Sequence, residues 1–275
     1  MSVGDAITAE QIADSVSAGD EAPACAEVAN YALELADDSL ILSQRLGWWI
    51  SRAPEMEEDI ALGNIALDIL GHARFFYTYA GTAWGRTEDD LAYFRDEEEF
   101  RSTRLVELPC TDFGQAVARQ LIFSYYAAEL YGQLSDSSDP VLSAIADKAV
   151  KEVAYHVDHA TQWLLRLGLG TEESGRRMQE GLNVVWPYKD ELFADTSAAA
   201  AAEHACPGST VTASTLKDAV DGHLAAALRA AGLDLPDVPT ASFSDRPREG
   251  RYSEHRGYIL TEMQSLARQH PGATW

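Results

Sequence analysis

Lysine is nearly absent from this chain: Lys148, Lys151, Lys189 and Lys217 are all it has, and arginine supplies the other cations. With 21 basic against 44 acidic residues the formal net charge is −23. A molecule this anionic is repelled by nucleic acid and by anionic membrane surfaces, which excludes both as partners. Cysteine is scarce too. Cys25, Cys110 and Cys206 are odd in number and irregularly spaced, so they form neither a disulfide framework nor a zinc signature, and three reduced thiols are expected. No run of 18 apolar residues is present, and the acidic segment MSVGDAITAEQIADSVSAGDEAPA lacks the basic and then apolar layout of a signal peptide. A soluble, cytoplasmic protein is expected. Glycine-rich phosphate loops, a Gly-x-Ser-x-Gly elbow and a redox Cys-x-x-Cys are also missing.

What is present is helix-forming sequence, 46% apolar over 275 residues. The acids are scattered through it rather than gathered in a tail, a pattern that fits a halophilic source, where molar salt screens self-repulsion. Residues 1–26 read as an acidic extension, either flexible or a loosely docked helix, and residues 27–275 as one domain. Apolar residues at helical spacing predict four long helices: Ala26–Ser51, Glu55–Trp84, Asp112–Leu134 and Pro140–Leu167. Further helices are expected over Glu172–Phe193, Ala213–Ala231 and Glu254–Gln269. The acidic segment GRTEDDLAYFRDEEEF reads as a turn, and TSAAAAAEHACPGS (196–209) and Leu233–Ser253 as loops. With almost no β-alternation, the fold class is an all-α antiparallel bundle with additional C-terminal helices.

Two stretches carry candidate chemistry. DILGH (68–72) and EVAYH (152–156) each set a carboxylate four residues before a histidine on an inward helix face. A bundle-core di-iron site needs a glutamate from each of two helices and a Glu-x-x-His pair from each of the others. The spacing here is four rather than three, which swings each histidine to a different point around the helix. The inward polar residues expected on the first and third helices, Gln44 and Ser124, carry no charge, and Glu129 is displaced to another face. Two carboxylates cannot neutralise two ferrous ions in a low dielectric. The favoured reading is a structural polar knot pairing Asp68 with His72 and Glu152 with His156, each carboxylate holding an imidazole or an arginine such as Arg74. No catalytic or cofactor-binding residue is assigned. The rival is an atypical metal site, and so a self-sufficient di-iron oxygenase or ferroxidase, built on Asp68, His72, Glu152, His156 and Glu129 or a first-helix carboxylate. His159, His204, His223, His255 and His270 are expected at the surface or an interface. The tryptophans, Trp275 included, are read mainly as core packing, with Trp48–Trp49 open to an interface role.

The stretches ALELADDSLILSQRLGWWISRAPEMEEDIALGNIALDILGHARFF (32–76), YFRDEEEFRSTRLVELPCTDFGQAVARQLIFSYY and KAVKEVAYHVDHATQWLLRLGLGTEESGRRMQEGLNVVW, with the ending LTEMQSLARQHPGATW, resemble the C subunits of multicomponent phenylacetyl-CoA epoxidases, the phenylacetate ring-1,2-epoxidases. The resemblance covers nearly everything from about residue 28 onward. It implies a ferritin-like four-helix bundle and a non-catalytic structural subunit beside a homologous di-iron A subunit, with a small B subunit and a reductase carrying NADPH, flavin and iron–sulfur chemistry. It also implies a hetero-oligomer with no cofactor in this chain. Two positions depart from the family pattern: His72 replaces an expected glutamine, and Ser124 stands where a carboxylate is common.

Overall fold

The computed structural model describes residues 8–18, 22–241, 248 and 252–273; Trp275 and part of the 233–253 segment lie outside them. Every regular element among the described residues is helical. The helices are α1 (Ala9–Ala18), α2 (Ala26–Gly47), α3 (Met56–Thr82), α4 (Glu88–Tyr93), α5 (Arg104–Glu107), α6 (Phe113–Leu134), α7 (Pro140–Gly168), α8 (Glu172–Val185), α9 (Ser197–Ala205), α10 (Lys217–Ala230) and α11 (His255–Gln269). α2, α3, α6 and α7 are the four long helices of a ferritin-like bundle, and α2 packs on α3 as α6 packs on α7. None of the described helices is long and apolar enough to cross a membrane.

Local chemistry sets the helix starts. Asp139 accepts from the Val141 and Leu142 amides at 3.0 and 2.9 Å, with Pro140 beginning α7, and Asp112 accepts from Gly114 N at 2.8 Å to start α6. Glu57, Glu58 and Asp59 lie in the first turn of α3, against the positive end of its dipole. α8 crosses α6 closely because glycines face each other there. A Cβ on Gly181 would come within 2.5 Å of the Gly114 backbone.

The core runs the length of the four helices, with Ile41, Ile65, Phe76, Leu121 and Ile145 fully buried. An aromatic chain ties three of them at one end. Trp49 meets Phe113 at 5.5 Å, and Phe113 meets Trp163 at 4.9 Å. Trp49 is therefore a core residue, while its neighbour Trp48 is 38% exposed.

Several boundaries differ from the sequence reading. α2 stops at Gly47, and 48–55 form a turn in which Ser51 takes a φ of 68°. The expected helix 172–193 breaks at Val185, because Pro187 removes an amide and the chain continues as a 3-10 turn over Trp186–Phe193. Ala213–Leu216 is likewise 3-10, before α10. The acidic segment 85–100 contains α4, started by a Thr87–Asp90 capping box, rather than a plain turn. The stretch 196–209, expected as a loop, contains α9, which Thr196 caps by accepting from Ala199 N at 3.1 Å. In the N-terminal extension, α1 lies on α3 with Ile12 1% exposed.

Candidate functional site

α3 and α7 run antiparallel, and their facing side chains form a ladder. Glu55 lies near Arg166, Glu58 meets His159 and Trp163, Asp68 meets His156, His72 meets Glu152, Phe75 underlies Lys148, and Tyr79 reaches Asp139. Numbers rise along one helix as they fall along the other. That register decides how the two carboxylate–histidine motifs are used. The expected pairing within each motif does not form, and each histidine reaches across to the carboxylate of the other motif: His72 Nε2 lies 2.8 Å from Glu152 Oε2, and His156 Nε2 lies 3.1 Å from Asp68 Oδ2. The imidazole centroids are 6.4 Å apart.

Both rings are buried, at 2% exposure, whereas Glu152 and Asp68 keep 28% and 35%. Burial pushes the Glu152 carboxyl up, but the His72 hydrogen bond and charge, with Lys148, outweigh it and leave its pKa lowered. Glu152 is thus ionised near neutrality, and an ionised carboxylate only accepts, so His72 Nε2 carries the proton in this bond. For His156, burial and the neighbouring His72 win over Asp68 and lower the pKa, which keeps the ring neutral with its Nε2–H directed at Asp68.

At the level of His72, the other two bundle helices offer no carboxylate to it. Tyr131 of α6 lies edge-on to His72 at 5.4 Å and shares a hydrogen bond with Ser39 of α2. Ser124, also on α6, is buried and accepts from Gln120 Nε2 at 3.1 Å. Among the described residues no three histidine, cysteine, aspartate or glutamate side chains converge on a point suited to a metal ion. A di-iron centre needs carboxylates from all four helices, so the residues present do not fit one.

Several expected positions move. Glu129 faces outward and pairs with His223 of α10 at 3.1 Å, where His223 stacks on Tyr125. Arg74 stays out of the knot and binds Glu88 and Glu10 at the surface. His159, expected at the surface or an interface, is 10% exposed and bonded to Glu58 at 2.9 Å, because the antiparallel ladder turns that face of α7 toward α3. His204, His223 and His270 are exposed. Gln44 is only partly buried; the inward polar residues of α2 are Glu34, Asp37, Asp38, Ser39 and Ser43.

Those α2 carboxylates form a second polar layer that the sequence reading missed. Asp37 accepts from Tyr77 Oη at 2.5 Å and from Arg101 N at 2.7 Å, and it is ion-paired with buried Arg95. Asp38 accepts from Thr103 N at 2.7 Å and pairs with Arg248 at 2.8 Å. Glu34 accepts from Thr196 Oγ1 at 2.8 Å, and burial pushes its carboxyl up to about 7 despite Arg248. The signal was the Asp37–Asp38 doublet inside an apolar run, which needs buried cations to be tolerated. Arginine from distant segments supplies them. A cavity of about 800 Å³ adjoins this layer, lined by Glu34, Arg95 and Arg101 with Glu27, Trp84 and Ser197.

A family model described as "Phenylacetic acid catabolic protein" matches residues 14–275. The chain is 42% identical over 247 residues to the C subunit of the 1,2-phenylacetyl-CoA epoxidase of Escherichia coli (strain K12), an alignment covering 89% of this chain and 98% of that relative.

Proposed function

Since the chain belongs to the phenylacetic acid catabolic protein family, we propose that it is a non-catalytic, structural subunit of a multicomponent phenylacetyl-CoA ring-1,2-epoxidase. In this reading it supports a homologous di-iron catalytic subunit, alongside a small bridging subunit and an NADPH-dependent reductase, in aerobic phenylacetate degradation. The same reading sets the complex in a salt-rich cytoplasm, to which a net charge of −23 is suited.

One observation carries the proposal: the carboxylates facing the bundle interior already have partners. Asp68 and Glu152 hold histidines across the α3–α7 seam, and Asp37 and Asp38 hold arginines. Guanidinium groups thus supply the positive charge that neutralises the buried α2 carboxylates. Assembly is supported by an apolar stripe on the outward face of α3. Met56, Ile60 and Leu67 are 77%, 58% and 66% exposed, and Ile50 flanks Gly63 on the same face.

Co-expression with a homologous subunit that carries a complete ligand set tests this. The two chains are expected to co-purify in equal amounts, and the double substitution Ile60→Asp with Leu67→Asp is expected to separate them while each stays folded. Because both side chains are exposed, the variant alone should melt within about 1 kcal/mol of the parent. Independent purification of the two unmodified chains would count against the proposal.

A further inference from the structure

Two thiols far apart in the sequence meet in the fold. Cys25 is the residue just before α2 and Cys206 the residue just after α9, 181 positions apart, and their Sγ atoms lie 3.5 Å from each other. Both are partly exposed, whereas Cys110 is buried at 3%. Neither of the pair is held inside a helix. Cys25 has φ −70° and ψ 155°, and Cys206 has φ −134° and ψ 84°, so side-chain rotation with a small backbone adjustment closes the remaining gap of about 1.5 Å to a bond.

We propose that Cys25 and Cys206 are a modification site: a two-electron oxidant such as hydrogen peroxide joins them in a reversible intramolecular disulfide that fastens α9 to the start of α2. One sulfur attacks peroxide, breaking the O–O bond and becoming a sulfenic acid as the first water leaves. The second sulfur then displaces the hydroxyl as a second water. Two thiols and one hydrogen peroxide give one disulfide and two waters, with sulfur oxidised and peroxide oxygen reduced.

The position gives the bond leverage. α9 has a single buried residue, Ala202, and its start is tied down through Thr196 and Glu34. Polar contacts at 206–209 help fasten its other end, such as Ser138 Oγ donating to the Pro207 carbonyl at 2.9 Å. Ser197, Ala198 and Ala201 of α9 face Glu27 and Asn30 of α2 across the 800 Å³ cavity, so the disulfide fixes one wall of that cavity. The groups facing the pair are Glu27, Tyr79 and Asp139. Hydrogen bonding from Cys25 and then burial and nearby acids push the Cys206 thiol up, which lowers its thiolate fraction and slows its reaction with peroxide.

The test treats the intact protein with hydrogen peroxide, blocks remaining thiols under denaturing conditions without reduction, and maps the peptides by mass spectrometry. The expected result is loss of two of the three free thiols, a Cys25–Cys206 linked peptide, and full recovery with dithiothreitol. Amide exchange over 197–205 should slow in the oxidised protein, and its melting midpoint should rise by roughly 5–10 °C. Cys25→Ser and Cys206→Ser should each abolish the link and both effects. Oxidation of the two thiols to separate sulfinic acids, a disulfide between chains, or three unchanged thiols would each overturn the proposal.

Discussion

Asp37 and Glu152 each hold a partner from another segment, yet the energetics differ because their exposure differs. Asp37 is fully buried against an Arg95 that is 3% exposed, so neither charge can return to water if the other is lost. Asp37→Asn is expected to destabilise the protein by about 3–5 kcal/mol. Glu152 keeps 28% of its surface, and an amide there still accepts from His72; Glu152→Gln should cost about 1 kcal/mol or less. Denaturant melts of the two variants check the order. Glu34 makes a further prediction through its pKa of about 7, raised from an ordinary 4.5. The folded chain binds a proton there that the unfolded chain releases, so this stabilisation is complete below the ordinary value and is lost as the pH rises through 7. Glu34→Gln should therefore reduce the fall in stability between about pH 5 and about pH 8 by roughly 3 kcal/mol. At this scale the sequence named Asp68, His72, Glu152 and His156 but paired each histidine with the carboxylate of its own motif, where the structure crosses them. Periodicity describes one helix at a time, and the crossed pairing depends on the register between two helices.

Helices with a stripe were legible, and those without one were not. α2, α3, α6 and α7 carry apolar residues at helical spacing over six or more turns, and each appears within a few residues of its expected bounds. α9 is a run of alanines with no stripe to read, and its helicity rests on alanine's intrinsic preference and on Thr196. Thr196→Ala removes the cap and leaves buried Glu34 without its hydroxyl partner. It should destabilise the protein by about 1–2 kcal/mol and speed amide exchange across 197–205 well beyond that of α6. Exchange unchanged in α9 would show that the helix is held by other contacts. The α2 polar layer escaped for a related reason. α2 is buried around most of its circumference between Val28 and Ser43, so the stripe that pointed to Gln44 had no outward face to contrast with.

The whole molecule carries a net charge of −23, spread over its surface. Raising the salt from about 0.1 M to about 1 M shortens the screening length from roughly 10 Å to 3 Å and relieves self-repulsion between neighbouring acids. Exposed pairs such as Arg176 with Glu173 and Glu180 lose strength under the same screening, but pairs of this kind contribute little. The melting midpoint is therefore expected to rise with potassium chloride, and a fall would contradict the reading of the acidic surface. The central claim is that the carboxylates facing the bundle interior hold imidazole and guanidinium rather than iron. Its most direct test is iron content per chain after anaerobic loading of the isolated protein with ferrous ion at high salt. The account predicts iron near zero, and about two irons per chain, the complement of a bundle-core di-iron site, would contradict it.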